Sequence, residues 1–136
     1  MDNTAIARDV FLHDAYATDT TGISIAHAGD HTAECHLNLD ARHRNARGAA
    51  MGGALYTLAD FAAAVAANSE ELEGEALHWI SLDATIHYLA PAMGNKLNAR
   101  CEALKLGRTT SLYQTTVNDP DNGRKIAIVE TTMVRV

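Results

Sequence analysis

Asp60 is the residue that most needs a chemical reason. It lies in NARGAAMGGALYTLADFAAAVAAN (45–68), where seven alanines fall between Ala54 and Ala67 and no other charged residue follows Arg47. The stretch reads as one long helix, apolar on every face and therefore buried on all sides. A carboxylate in such surroundings is costly unless it is paired or protonated. Asp60 is then either a buried acid bonded to a neighbouring hydroxyl or backbone N–H, or a general base or nucleophile in an enclosed pocket. The second feature is Gly52-Gly53, which opens the helix. Free N–H groups and the positive end of the dipole, roughly half a charge, point outward at such a start. They suit an anion, or an oxyanion that develops during acyl transfer. The plainer alternative is that two glycines let the helix pack tightly in a sheet.

A distance joins these features. Gly52 and Asp60 are separated by roughly 12 Å along one helix, too far for both to touch one carbonyl carbon. If they act together, Gly52 of one chain must meet Asp60 of another, as across a C2 dimer interface. The loop before the helix carries Arg42, Arg44 and Arg47, three of only eleven basic residues. They could meet the phosphates of an acyl carrier such as coenzyme A, or form an ordinary solvated loop. The seven histidines show no tight metal-ligand spacing, and no G-x-S-x-G elbow is present.

The elements that must hold these residues fit one domain. The chain has 136 residues, 47% of them hydrophobic, and a net charge of −6, which argues against a nucleic-acid partner. Cys35 and Cys101 fit no C-x-x-C pattern and read as free thiols. No signal peptide is visible, and residues 52–68 are too short and too interrupted for a membrane span, so the expectation is a cytoplasmic protein with no membrane partner. Residues 4–16 read as a short outer helix capped by Asn3 or Thr4. A hairpin follows over 22–39, with its turn at Gly29-Asp30. After the helix, SEELEGEA (69–76) reads as an acidic, solvated exit. In the run from His78 to Ala90, Ile80, Leu82, Ala84, Ile86 and Tyr88 take one face and Ser81, Asp83, Thr85 and His87 the other. Strands at 96–103, 109–117 and 125–136 complete an α+β fold, with one sheet curled round one helix.

The spacing of Asn45, Gly48, Met51-Gly52-Gly53, Leu58 and Asp60, followed by ISLDATIHYLAPA (80–92), resembles the hotdog-fold acyl-CoA thioesterases. The likeness is to the PaaI-like, phenylacetate-pathway branch of the 4-hydroxybenzoyl-CoA thioesterase superfamily. It covers roughly residues 20–136 and leaves 1–18 as an N-terminal helix or extension. It implies a curved antiparallel sheet around one long central helix, and an enzyme that releases a free acid and CoA. Asp60 would be base or nucleophile, the Gly52 N–H the oxyanion donor, Asn45 would orient water or leaving group, and Ser81 would help place the water. Met51, Gly53, Tyr56, Phe61 and Arg47 would contact a medium-chain or aromatic acyl-CoA. The site would lie across a homodimer that often pairs into a homotetramer, with no metal and no cofactor beyond coenzyme A itself. One departure stands out. The family's usual His is Met51 here, and a thioether neither titrates nor donates a strong hydrogen bond. The alternative reading is therefore an acyl-CoA or acyl-carrier binding protein with little turnover.

Overall fold

A computed structural model describes residues 1–74 and 76–136. Among the described residues, two α-helices and six strands follow one another as α1 (Thr4–Phe11), β1 (Ile23–Gly29), β2 (Thr32–Asn38), α2 (Gly52–Asn68), β3 (Trp79–Tyr88), β4 (Lys96–Lys105), β5 (Thr110–Asn118) and β6 (Lys125–Arg135). The strands form one antiparallel sheet in the order β1-β2-β4-β5-β6-β3. α2 packs against all six strands, so the sheet curls around it. This is the hotdog fold. Small side chains make the close wrap possible: Ala59, Ala62, Ala63 and Ala66 are all fully buried. Cys35 and Cys101 are likewise fully buried free thiols on neighbouring strands. No described helix is long and apolar enough to cross a membrane.

Several expectations shift in detail. The first helix ends at Phe11, short of the expected residue 16, and a π-helical turn (Tyr16–Thr21) follows and ends on Gly22. Asn3 sits at the N-cap without a capping bond; its amide instead donates to the Ser69 carbonyl at 2.7 Å. The β1–β2 turn is centred one residue later than expected, on Asp30 (φ 54°) and His31 (φ 57°), both left-handed as a type I′ hairpin turn requires. Their N–H groups donate to Glu70 and Ser69 just past the end of α2, which pins the hairpin tip there. The exit from α2 is therefore not simply solvated. Ser69 and Leu72 are buried, and both carboxylate oxygens of Glu71 accept from Arg135 at 2.9 Å. Glu75 of that stretch lies outside the described residues.

Two differences bear on chemistry. α2 is not covered on every side: Gly53, Tyr56, Thr57, Asp60 and Ala64, spaced as one helical stripe, are all at least partly exposed. And β3 does not keep a period of two. A bulge between Ser81 and Asp83 leaves Leu82 without a partner, with Ser81 opposite Met133 and Asp83 opposite Thr132. The extra residue reverses the alternation. Ser81 therefore faces the helix together with Ala84, Ile86 and Tyr88, whereas strict alternation places it on the opposite face.

Candidate active site

The loop leading into α2 is organised by its own backbone. The Asn45 side-chain oxygen accepts from the N–H groups of Arg47 (2.9 Å) and Ala49 (3.1 Å), and the Asn45 carbonyl accepts from Gly48 N–H (2.9 Å). Gly48 takes φ +84°, a conformation that favours glycine. Asn45 is thus first a loop pin, and only its side-chain NH2 is left for other partners. Next, Met51 N–H donates to the His43 carbonyl at 2.7 Å, while the Met51 carbonyl accepts from Ala54 and Leu55. The N–H groups of Gly52 and Gly53 have no acceptor among the described residues. The Gly52 N–H expected as an oxyanion donor is therefore free, and Gly53 supplies a second.

His43 anchors this loop from beneath and is not singled out by its sequence pattern. Its Nδ1 accepts from Asp40 N–H at 3.0 Å and its Nε2 donates to the Thr21 carbonyl at 2.6 Å. That assignment makes it a neutral, buried structural histidine. The structure also sorts the three loop arginines. Arg42 is held by Asp40, and Arg44 by the carbonyls of Gly48 and Gly94 and the side chain of Asn95. The Arg47 side chain has no such bond among the described residues and lines a cleft of about 660 Å³ together with Asn45, Gly52, Leu55, Tyr88 and Met93.

Two turns along α2 lies the carboxylate. Asp60 Oδ1 accepts a hydrogen bond from Ser81 Oγ at 3.2 Å, and this contact exists because of the β3 bulge. Burial pushes the Asp60 carboxyl above the usual range; the Ser81 bond opposes this and the Asp14 carboxylate adds to it. Tyr56 sits one turn nearer the helix start, its phenol raised by burial, then by Asp60 and Tyr88. Side chains on a helix lean toward its N-terminus, so Tyr56 leans from the carboxylate toward the free N–H groups.

The remaining expected residues divide. Met51 is the N-cap of α2 and its side chain is 49% exposed. Gly53 lies on the open stripe. Phe61 requires a correction: it is 2% exposed and packs edge-on against Phe11, with ring centroids 5.6 Å apart, so it is a core residue that ties α1 to α2. Asn45, Gly52 and Arg47 thus share one cleft. Asp60 and Ser81 form a separate pair. Tyr88, also in the cleft, is missed as a site residue: its face of β3 is legible from alternation, but its contact with the start of α2 depends on how the strand packs against the helix.

The profile of the thioesterase superfamily matches residues 47–126, more than half of the chain. The chain belongs to the thioesterase superfamily. It is a thioester hydrolase of PaaI-like hotdog type. The E. coli PaaI protein from the phenylacetic acid degradation operon superposes with a TM-score of 0.82 at 23% identity, covering 98% of this chain and 96% of that one. A mutant of the phenylacetic acid degradation protein PaaI from Thermus thermophilus superposes at 0.78 with 27% identity, covering 88% and 97%. A hypothetical thioesterase from Streptococcus pneumoniae, solved with coenzyme A, superposes at 0.80 with 23% identity, covering 95% and 96%. No curated protein matches the sequence.

Proposed function

We propose that this thioesterase hydrolyses a medium-chain or aromatic acyl-CoA to the free acid and CoA, at two equivalent sites across a homodimer. The observation that carries the reading is a carboxylate of raised pKa, bonded to Ser81, on the same helix whose start presents two unpaired N–H groups. Their separation of roughly 12 Å calls for the helix start of one chain and the Asp60 of its partner at each site. Two exposed features support pairing: the open stripe on α2, and β3, which is an edge strand carrying Ile80 at 50% and Leu82 at 61% exposure. Dimers joining into a homotetramer would follow the family habit.

In this reaction Asp60 takes a proton from water as the water oxygen attacks the thioester carbon. The N–H groups of Gly52 and Gly53 hold the resulting oxyanion. Collapse breaks the C–S bond, and the CoA thiolate takes the proton from Asp60. Ser81 holds the carboxylate in place. The remaining NH2 of Asn45 is available to water or leaving group, and Arg47 to a CoA phosphate. No metal or cofactor is needed beyond the coenzyme A of the substrate. Two free cysteines fit a cytoplasmic setting. Attack by Asp60 itself is the variant of this mechanism: it forms a mixed anhydride with loss of the CoA thiolate, and 18O found in Asp60 after a single turnover in 18O-water identifies it.

A second reading, binding with little turnover, rests on Met51 replacing the family's His. Against it, the Met51 backbone keeps the helix start in order without help from its side chain. Thiol release from a panel of acyl-CoA esters, phenylacetyl to decanoyl, tests both. Release that vanishes in Asp60→Ala supports hydrolysis; tight binding without release supports the second reading.

A further inference from the structure

Tyr88 touches the start of α2 in two ways. Its hydroxyl donates to the Gly52 carbonyl at 3.2 Å. Its ring also fills the space that a side chain at 52 would need: a Cβ there would lie 3.0 Å from the hydroxyl oxygen and 3.1 Å from Cζ. A peptide group is planar, so the Gly52 carbonyl and the Gly53 N–H lie on opposite edges of one rigid plane. That N–H is one of the two without an acceptor. A bond that fixes the carbonyl therefore fixes the direction of the free N–H. It also polarises the amide and makes the N–H a stronger donor, by roughly 10–30% per bond in a chain. Tyr88 lies on the same face of β3 as Ala84 and Ile86, and the bulge after Ser81 brings Ser81 onto that face too. One face of β3 thus supplies Ser81 to the carboxylate and Tyr88 to the helix start.

We propose that Tyr88 is a positioning residue for thioester hydrolysis: it holds the 52–53 peptide so that Gly53 N–H joins Gly52 N–H as an oxyanion donor. On this account position 52 is glycine to admit the tyrosine ring, not only the substrate. The proposal rests on the acyl-transfer reading above.

Tyr88→Phe keeps the ring and removes only the hydroxyl. It should be compared with wild type and Asp60→Ala for kcat and KM on the best acyl-CoA, for Tm, and for the Gly53 amide in 15N–1H spectra. The expected result is a kcat lowered about tenfold, a fraction of the ~10²–10³ lost with a donor itself. KM and Tm should hardly change, and the Gly53 amide proton should move upfield while amides near Asn68 stay in place. An unchanged kcat, a change confined to KM, or an unmoved Gly53 amide overturns the proposal and leaves Tyr88 as a wall of the cleft. Wild type that releases no thiol, or release that survives Asp60→Ala, overturns the acyl-transfer reading and this proposal together. Loss in Asp60→Ala with no change in Tyr88→Phe overturns this proposal alone.

Discussion

The middle and the C-terminal end of α2 carry similar polar residues in opposite circumstances. Asn68, near the C-terminus, is fully buried and fully engaged: its NH2 donates to the carbonyls of Ala64 (2.9 Å) and Trp79 (3.0 Å), and its oxygen accepts from His78 (3.1 Å) and Trp79 (3.0 Å). Asp60, two turns earlier, is only partly covered, has one protein donor in Ser81 and a raised pKa. At the N-terminus, two N–H groups have no partner among the described residues. A satisfied polar group stabilises the structure that satisfies it, and an unsatisfied one retains free energy for a ligand. The C-terminal end of the helix is therefore construction, while the open stripe and the helix start keep polar groups unspent.

Substitutions that remove one role and not the other sharpen this contrast. Asp60→Asn should lower thiol release by ~10²-fold or more, since it removes the proposed base and leaves the shape intact. The same variant should be more heat-stable at neutral pH. A carboxyl whose folded pKa is raised favours the fold most below its unfolded pKa, and that contribution declines as pH rises through the folded value. Activity loss with a gain in Tm would mark Asp60 as functional; loss of both would make it a second Asn68. Asn68→Ala should do the reverse: stability falls by about 2–3 kcal/mol in urea melts as buried groups lose partners, with kcat per folded molecule unchanged. Gly52→Ala should lower kcat about tenfold by displacing the Tyr88 hydroxyl, far less than loss of the base. Arg47→Ala should raise KM a few-fold for CoA esters and leave acyl-pantetheine esters unaffected, an effect that shrinks with salt. The smallest effect concerns pH. The acid limb of kcat/KM should lie above the ordinary carboxylate range, and Asp14→Asn should move it slightly lower by removing a like charge.

Local features of the fold are legible in the amino-acid order alone. The start of α2 at the Gly52-Gly53 pair, its end at Asn68, and four later strands all follow from apolar patterning and turn residues. Asp60 is conspicuous because a lone charge in an apolar run is conspicuous anywhere. What stays hidden depends on pairing. Nothing in ISLDATIHY marks Leu82 as an extra residue; that is decided by how β6 pairs with it, and the facing of Ser81 relative to Ala84, Ile86 and Tyr88 depends on the result. The open stripe on α2 is hidden for a related reason: an alanine-rich sequence states that a helix can be covered, not by what. Phe61 reads as pocket because aromatic residues suit both pocket and core, and only the position of Phe11 decides between them.

The buried cysteines have a practical consequence. Neither Cys35 nor Cys101 is accessible, and burial holds both thiols protonated, that of Cys101 pushed up to about 12. Thiolates, not thiols, attack disulfide reagents, so the native protein should be silent toward an aromatic disulfide that colours on contact with free CoA. The reaction can be followed with that reagent in the cuvette from the first second, and any colour that grows without substrate would report enzyme coming apart.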